Sequence, residues 1–166
     1  MSDALRLHLG CGERRWDGWV NVDMPGSGAE VECDLMDTLP WADGVADEIE
    51  AIHVWEHFPL PVVRGVMTEW VRVLKPGGRL TLEMPCRDKV FDMIRAGVTD
   101  ERLVVWPLYG DPRTFESIAD IHKWCWSKDE LATLMHRCGL REIASETPKF
   151  HVAQRDMRMI GVKRAD

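Results

Sequence analysis

The chain has 166 residues, of which 45% are hydrophobic, and it carries a formal net charge of −7 at pH 7. This length supports one compact domain with a core of its own and is too short for two ordinary domains, so we expect a single domain over residues 1–166. The acidic charge disfavours nucleic acid as a partner, because surfaces that track phosphates are usually basic.

Cysteine usage and hydropathy bear on the cellular compartment. Five cysteines, at positions 11, 33, 86, 125 and 138, are scattered without a CxxC pair, as expected of free thiols in a reducing compartment. The sequence has neither an apolar leader at Met1 nor an apolar run of about 18 residues. We therefore expect a cytoplasmic location, no membrane association and no zinc site.

Two short predicted strands flank a glycine turn. Apolar and polar residues alternate over residues 5–9, and the turn Gly10-Cys11-Gly12 follows, where a small ligand can approach the backbone. The second strand, residues 19–22, ends at Asp23, which is where an open α/β sheet presents groups to a ligand. A carboxylate there is suited to bind the vicinal hydroxyls of a ribose, because it accepts two hydrogen bonds.

The connection between these strands is short. Residues 13–19 give only seven positions from the glycine turn to the second strand, whereas a helical crossover between parallel strands needs a dozen or more. We expect the first helix to be shortened or absent. Trp16 and Trp19 then either cap the sheet edge or form a loop near the ligand together with Arg14 and Arg15.

The third and fourth predicted strands each lead into polar residues. Residues 29–33 precede Asp34-Leu35, and residues 47–54 lead into His53-Val54-Trp55-Glu56-His57. Two histidines four residues apart suggest metal ligands, but this segment leaves a strand rather than lying within a helix. Glu56 also does not occupy the position that the HExxH pattern requires, so the sequence predicts no metal site.

The rest of the chain predicts three helices, three strands and a long irregular segment. A helix begins at Pro59 to Pro61 and ends at the KPGG motif, residues 75–78, and a strand covers residues 80–84. Residues 86–126 hold a helix over 88–96 and then an aromatic-rich stretch, Tyr109 to Trp126, which is either a lid with a substrate wall or a loop packed on the sheet. A capping box at Ser127 opens a helix that ends at Gly139, and strands follow at 140–145 and 155–163.

Six segments occur in an order that resembles the class I S-adenosylmethionine-dependent methyltransferases, and in particular small predicted bacterial or phage-type members. They are LHLGCG, GWVNVD, CDL, the LP at 39–40, DEIEAIHVWEHF and VLKPGGRLTLEMP, and the resemblance covers most of residues 5–140. It implies a Rossmann-like α/β fold with a seven-stranded, mostly parallel sheet. The antiparallel last strand is implied to lie between the fifth and sixth strands.

The resemblance also implies S-adenosylmethionine as cofactor and a set of residues that bind it. That set is Gly10, Cys11, Gly12, Asp23, Met24, Asp34, Leu35, His53 and Val54. Asp34 would bond the adenine amino group and Leu35 would pack on the ring; the alternative is that Asp34 caps the following turn. One departure is His8, which stands where many members have an acid.

Methyl transfer from a sulfonium needs orientation, exclusion of water and, for a hydroxyl or amine acceptor, removal of a proton. His57 and His122 are the candidate catalytic bases, because imidazole titrates near the working pH. The leading hypothesis is therefore a methyltransferase acting on a small-molecule or saccharide-like acceptor, with a partner or a homo-oligomer completing the pocket.

Two other functions stay open. One is a catalytically inactive cofactor-binding module that serves a partner protein. The other is a Rossmann-like enzyme with a different nucleotide. A dinucleotide site needs a third glycine three residues after the second, but position 15 is arginine. It also needs an acid about 20 residues further on, but Asp23 follows Gly12 by only eleven residues. A nicotinamide or flavin site therefore fits this sequence poorly.

Overall fold

The computed structural model describes residues 4–165, and seven strands in it form one sheet. The strands are β1 (Arg6–Leu9), β2 (Val20–Asp23), β3 (Val31–Glu32), β4 (Ala46–Ile52), β5 (Leu74–Pro85), β6 (Leu140–Glu146) and β7 (Asp156–Lys163). Their order across the sheet is β3-β2-β1-β4-β5-β7-β6, and β7 runs antiparallel to the other six strands. The predicted Rossmann-like sheet is confirmed, including the insertion of β7 between β5 and β6.

Five α-helices and two 3-10 turns connect the strands. The helices are α1 (Leu60–Val73), α2 (Arg87–Arg95), α3 (Glu101–Val104), α4 (Trp106–Tyr109) and α5 (Lys128–Arg137), and the 3-10 turns are Trp55–His57 and Ile118–Asp120. The capping box predicted for α5 is present, because Ser127 accepts from Glu130 N and the Glu130 side chain accepts from Ser127 N. α1 buries its apolar face, including the fully covered Trp70, in the core beneath the sheet.

The boundaries differ from the prediction mainly at β4 and β5. β4 ends at Ile52 rather than at residue 54, because His53 takes a left-handed conformation with φ of 54° and turns the chain out of the strand. β5 starts at Leu74, immediately after α1, so the KPGG motif lies inside the strand and not in a separate turn. The register between β4 and β5 shifts at this point, between Ala46 and Glu48.

The first helix is absent, as predicted. Residues 10–19, all of them described, form turns and extended chain. The Asn21 side chain holds this loop by accepting from Trp16 N at 2.8 Å and donating to the carbonyls of Trp16 and Trp19, each at 3.2 Å. Trp16 stacks on the buried ring of His8 with ring centroids 3.7 Å apart, so Trp16 covers the sheet where a helix would otherwise lie.

One face of the sheet is polar yet buried. Arg158 on β7 pairs with Glu50 on β4 at 2.5 Å and with Glu83 on β5 at 3.1 Å, and all three side chains are almost inaccessible. Glu83 also accepts from the backbone N–H groups of Lys149 and Phe150, at 2.9 and 2.8 Å. The β6–β7 connection is thereby folded back over this face, and it reaches the edge at which the strands end.

Candidate functional site

The glycine turn after β1 is packed too closely for side chains. Gly10 N and Cys11 N both donate to Val22 O, at 2.8 and 3.1 Å, which ties the turn to the end of β2. Gly10 has φ of +69°, and a Cβ placed on it would collide with the side chain of Val54. A residue other than glycine at position 10 would therefore push apart the ends of β1 and β4, where an open α/β sheet binds its ligand.

Asp23 lies at the end of β2 and faces this turn. Its Oδ2 accepts from Gly12 N at 2.5 Å and its Oδ1 accepts from Met24 N at 2.7 Å. The side chain is half-buried, and each carboxylate oxygen keeps a second lone pair. Asp23 can thus brace the turn and still accept hydrogen bonds from a ligand.

A cleft of about 410 Å³ gathers most of the predicted cofactor residues from the ends of four strands. This volume suits a ligand the size of a nucleoside derivative. The predicted residues that line it are Gly10, Gly12, Asp23, Met24, Asp34, Leu35, His53, Val54 and His57. Cys11 does not line this cleft: its side chain is buried and contacts Arg15 on the other side of the turn.

The cleft has an apolar rim, of which the predicted cofactor residues include only Met24. Met24, Met36 and Ile118 are 48%, 44% and 77% exposed, and all three line the cleft. Asp34 Oδ1 accepts from Met36 N at 2.9 Å, so Asp34 caps the turn after β3 as well as facing the cleft. The turn-capping role of Asp34 is thus confirmed, and its bond to an adenine amino group stays a prediction.

A second cavity, of about 570 Å³, shares Gly10 and Gly12 with the cleft. Its other lining residues are His8, Cys11, Glu13, Arg14, Ile52 and His151. Burial lowers the pKa of His8, whose Nδ1 lies 3.3 Å from Asn21 Oδ1. His151 comes from the β6–β7 connection, whose irregular sequence gave no sign that it returns to this edge.

His53 is held between two buried carboxylates at the inner end of the cleft. Its Nδ1 lies 3.0 Å from Glu56 Oε1 and its Nε2 lies 3.1 Å from Asp156 Oδ2. Burial alone would lower the pKa of His53, but the two carboxylates outweigh burial and raise it to about 9. Burial would raise the pKa values of Glu56 and Asp156, but the interactions with His53 outweigh burial and lower both values to about 2.

The two predicted catalytic histidines come together from distant parts of the chain. Glu56 O accepts from Lys123 N at 2.7 Å and from Trp124 N at 3.3 Å, which fixes the segment after His122 to the 3-10 turn Trp55–His57. The rings of His57 and His122 meet edge to face with centroids 4.8 Å apart. His57 lines the cleft, whereas His122 lies behind it with 10% of its side chain exposed, and burial lowers the pKa of His122.

The aromatic-rich segment contributes one wall of the cleft. Ile118, Ala119, Asp120 and Lys123 line it, and they belong to or follow the second 3-10 turn. Tyr109, by contrast, is 63% exposed and does not line the cleft. The part of the predicted lid that reaches the site is therefore residues 118–123.

Comparison with known proteins gives one family match. A family model described as a methyltransferase domain matches residues 21–82. No curated protein is significantly similar in sequence to this chain. Within the described residues, no helix is long and apolar enough to cross a membrane.

Solved structures show the same fold at low sequence identity. A SAM-dependent methyltransferase from Methanosarcina mazei is 18% identical, with 100% of this chain and 95% of that chain covered and a TM-score of 0.66. One from Archaeoglobus fulgidus is 15% identical, with 96% and 86% covered and a TM-score of 0.67. One chain of a complex that contains the Haloferax volcanii Trm112 methyltransferase activator is 15% identical, with 99% and 84% covered and a TM-score of 0.64.

The chain thus has the Rossmann-like methyltransferase fold. The family match and these structures together indicate S-adenosylmethionine as the cofactor.

Proposed function

We propose that the protein is an S-adenosylmethionine-dependent methyltransferase that binds the adenosine part of the cofactor in the cleft at the ends of β1 to β4. The observation that carries the proposal is the convergence of Asp23, Asp34 and the Gly10–Gly12 turn on one cleft of about 410 Å³. Three strands supply these groups at the edge where an open α/β sheet binds its ligands.

The charges and the apolar rim of the cleft suit an adenosine. Asp23 accepts hydrogen bonds from the two ribose hydroxyls, and Asp34 accepts one from the adenine amino group. Leu35 and Val54 line the cleft and would hold the adenine ring, and the exposed Met36 at the rim would cover it. Binding then removes from water an apolar rim that is otherwise exposed.

The second cavity suits the amino-acid end of the cofactor. It shares Gly10 and Gly12 with the cleft, so one extended molecule can occupy both across the glycine turn. Glu13 and Arg14 carry opposite charges beside each other there, which matches a zwitterion with an ammonium and a carboxylate. Cys11 and His8 belong to this part of the site.

The cofactor supplies the activated methyl group, and the protein orients and shields it. Residues 118–123 close the cleft and exclude water, and the acceptor, a small molecule or a saccharide-like compound, enters beside His57. His57 and His122 are the candidate groups that receive the acceptor's proton, because each ring has one nitrogen that is not bonded to a backbone carbonyl.

Titration calorimetry tests the proposal. We expect S-adenosylmethionine and its demethylated product to bind with one molecule per chain and NAD not to bind, because position 15 lacks the glycine that a pyrophosphate turn needs. Binding of NAD with no response to either sulfur compound would overturn the proposal. Binding of the cofactor with no transfer to any acceptor in a screen with a labelled methyl group would favour the non-catalytic module.

A further inference from the structure

Glu56, His57 and His122 form a cluster of side chains beside the cleft. Each offers one oxygen or nitrogen atom, and these atoms all lie within 4.8 Å of one another. His122 Nε2 lies 3.9 Å from Glu56 Oε1. The cluster joins the 3-10 turn Trp55–His57 to residues 118–123, which we call the wall segment. Two separate stretches of chain therefore converge on it.

Both histidines are held in the tautomer that ligates a metal through Nε2. His57 Nδ1 lies 2.9 Å from Ala119 O, and His122 Nδ1 lies 2.9 Å from Pro107 O. A carbonyl oxygen only accepts, so each Nδ1 carries the proton and each Nε2 keeps its lone pair. A backbone carbonyl behind the ring is the usual partner of a metal-bound histidine, because it fixes the ring's orientation and tautomer.

Glu56 gives the cluster a buried carboxylate with unused acceptor capacity. Its side chain is 1% exposed, and Oε1 lies 3.0 Å from His53 Nδ1. The other oxygen, Oε2, is buried and has no hydrogen-bond partner among the described residues. A buried carboxylate oxygen without a donor is costly, and a cation supplies what the donor does not.

We propose that Glu56, His57 and His122 bind a divalent transition-metal ion. Two imidazole nitrogens and one carboxylate oxygen on one side of an ion suit Zn²⁺, Mn²⁺, Fe²⁺ or Co²⁺ and leave further positions open. Ligand atoms about 2.1 Å from an ion in tetrahedral geometry lie about 3.4 Å apart, so the cluster contracts on binding. His57 is half-buried on a short turn and supplies that movement.

The ligand set differs from the one that the sequence suggested. The four-residue spacing of His53 and His57 was the reason to consider a metal, and the strand context and the position of Glu56 were the reasons to reject it. In the structure both nitrogens of His53 face carboxylates, Glu56 and Asp156, so His53 has no lone pair free for an ion. His122 takes its place from a segment that sequence spacing does not connect to Glu56.

The consequence for the reaction rests on the proposed methyltransferase function. Glu56, His57 and His122 would hold the ion, which would supply Lewis-acid chemistry that lowers the pKa of an acceptor hydroxyl in the cleft. The hydroxyl proton would pass to solvent as the acceptor enters, before residues 118–123 close the cleft. Methyl transfer would then form the oxygen–carbon bond as the carbon–sulfur bond breaks, with the electron pair kept by sulfur. With the ion bound, His57 and His122 would be ligands and not bases.

Titration with Co²⁺ tests the metal site without cofactor or acceptor, so its outcome is independent of methyl transfer. Untagged protein freed of metal by a chelator should take up one Co²⁺ per chain, with visible absorption bands and no thiolate charge-transfer band. His57→Asn and His122→Asn should each weaken binding about tenfold or more, whereas His136→Asn, at an exposed position on α5, should not.

Nitrogen NMR of the histidine rings provides a second readout. Binding of diamagnetic Zn²⁺ should shift the nitrogen resonances of Nε2 in His57 and His122, while both Nδ1 atoms stay protonated. Glu56→Gln should weaken Co²⁺ binding as well, and its far-UV circular dichroism shows whether it folds; the two histidine variants carry the test if it does not. No saturable uptake, a thiolate band, or equal affinity in His57→Asn, His122→Asn and the parent protein would overturn the proposal.

Discussion

At the scale of single residues, Asp23 links the backbone of the glycine turn to the ligand cleft. It accepts from Gly12 N and Met24 N, and both donors belong to segments that line the cleft. The same carboxylate therefore organises the turn before a ligand binds and contacts the ligand afterwards. Preorganisation of this kind reduces the entropy lost on binding.

Asp23→Ala should weaken binding of S-adenosylmethionine by about 1.5 to 3 kcal/mol, or roughly 10- to 150-fold, because hydrogen bonds to a charged group are lost. Calorimetry measures the change. Asp92→Ala is the matched control, since it removes an exposed carboxylate on α2 that pairs with the exposed Arg95 and does not line the cleft. Equal affinity of Asp23→Ala and the parent protein would remove Asp23 from the site.

His8 should make stability depend on pH. Burial lowers its pKa below the ordinary value of 6.5, so the folded protein binds fewer protons than the unfolded chain when the pH falls below that value. The free energy of unfolding should then decrease from pH 7 towards pH 5, by at most about 1.4 kcal/mol per pH unit from this group.

Urea unfolding at pH 7 and pH 5.5 measures this effect. His8→Gln should lose less stability than the parent protein over the interval, while His136→Gln, at an exposed position, should follow the parent. An identical decrease in the parent and in His8→Gln would show that other groups cause the dependence.

At the scale of elements, the wall segment is attached to the 3-10 turn through only a few backbone hydrogen bonds. Lys123 N and Trp124 N bond to Glu56 O, and His122 N donates to Tyr109 O at 3.2 Å. The turn Ile118–Asp120 itself buries no residue. Such a segment opens more readily than the sheet, and a ligand beneath it should hold it closed.

Trypsin measures that closure because Arg113 lies on the surface five residues before Ile118, in the same aromatic-rich stretch, with its guanidinium 4.2 Å from the Trp106 ring centroid. Saturation with the demethylated cofactor product should slow cleavage after Arg113 by about threefold or more. Cleavage after Arg95, at the exposed end of α2, should not change. Equal slowing at both bonds would indicate general stabilisation and not closure of the segment.

The positions of the glycine turn and Asp23 could be predicted from sequence for a simple reason. The turn follows β1 and Asp23 ends β2, and parallel strands in one sheet bring their carboxyl ends to the same edge. Asp34 was implied by the family resemblance and not by a local pattern. The three lie along one cleft, and their contacts with a cofactor stay a prediction.

The remaining half depends on long-range contacts that no local pattern encodes. His122 reaches Glu56 because the two residues after it donate backbone hydrogen bonds to Glu56 O. His151 reaches the second cavity because Glu83 binds the backbone of the β6–β7 connection. Neither segment has helical or strand periodicity. The lid prediction was accordingly too broad, since Tyr109 lies outside the cleft that residues 118–123 line.

At the scale of the whole molecule, the two faces of the sheet are stabilised differently. Apolar side chains such as Leu7, Ile49 and Leu82 are fully buried against the helical layer. The opposite face relies on the ion pairs of Arg158 and on the β6–β7 connection that covers them. Because a buried charge is costly without its partner, this face requires that β7 be in place.

The position of β7 therefore constrains the order in which the protein can fold during translation. Ribosomes add about 5 to 20 residues per second, and of the strands in this sheet β7 is made last, yet it lies between β5 and β6. Until Arg158 emerges, Glu50 and Glu83 lack their cation on strands that are already complete. The nascent chain should accordingly remain open at β5, accessible to chaperones, and close its sheet only after β7 has left the ribosomal exit tunnel.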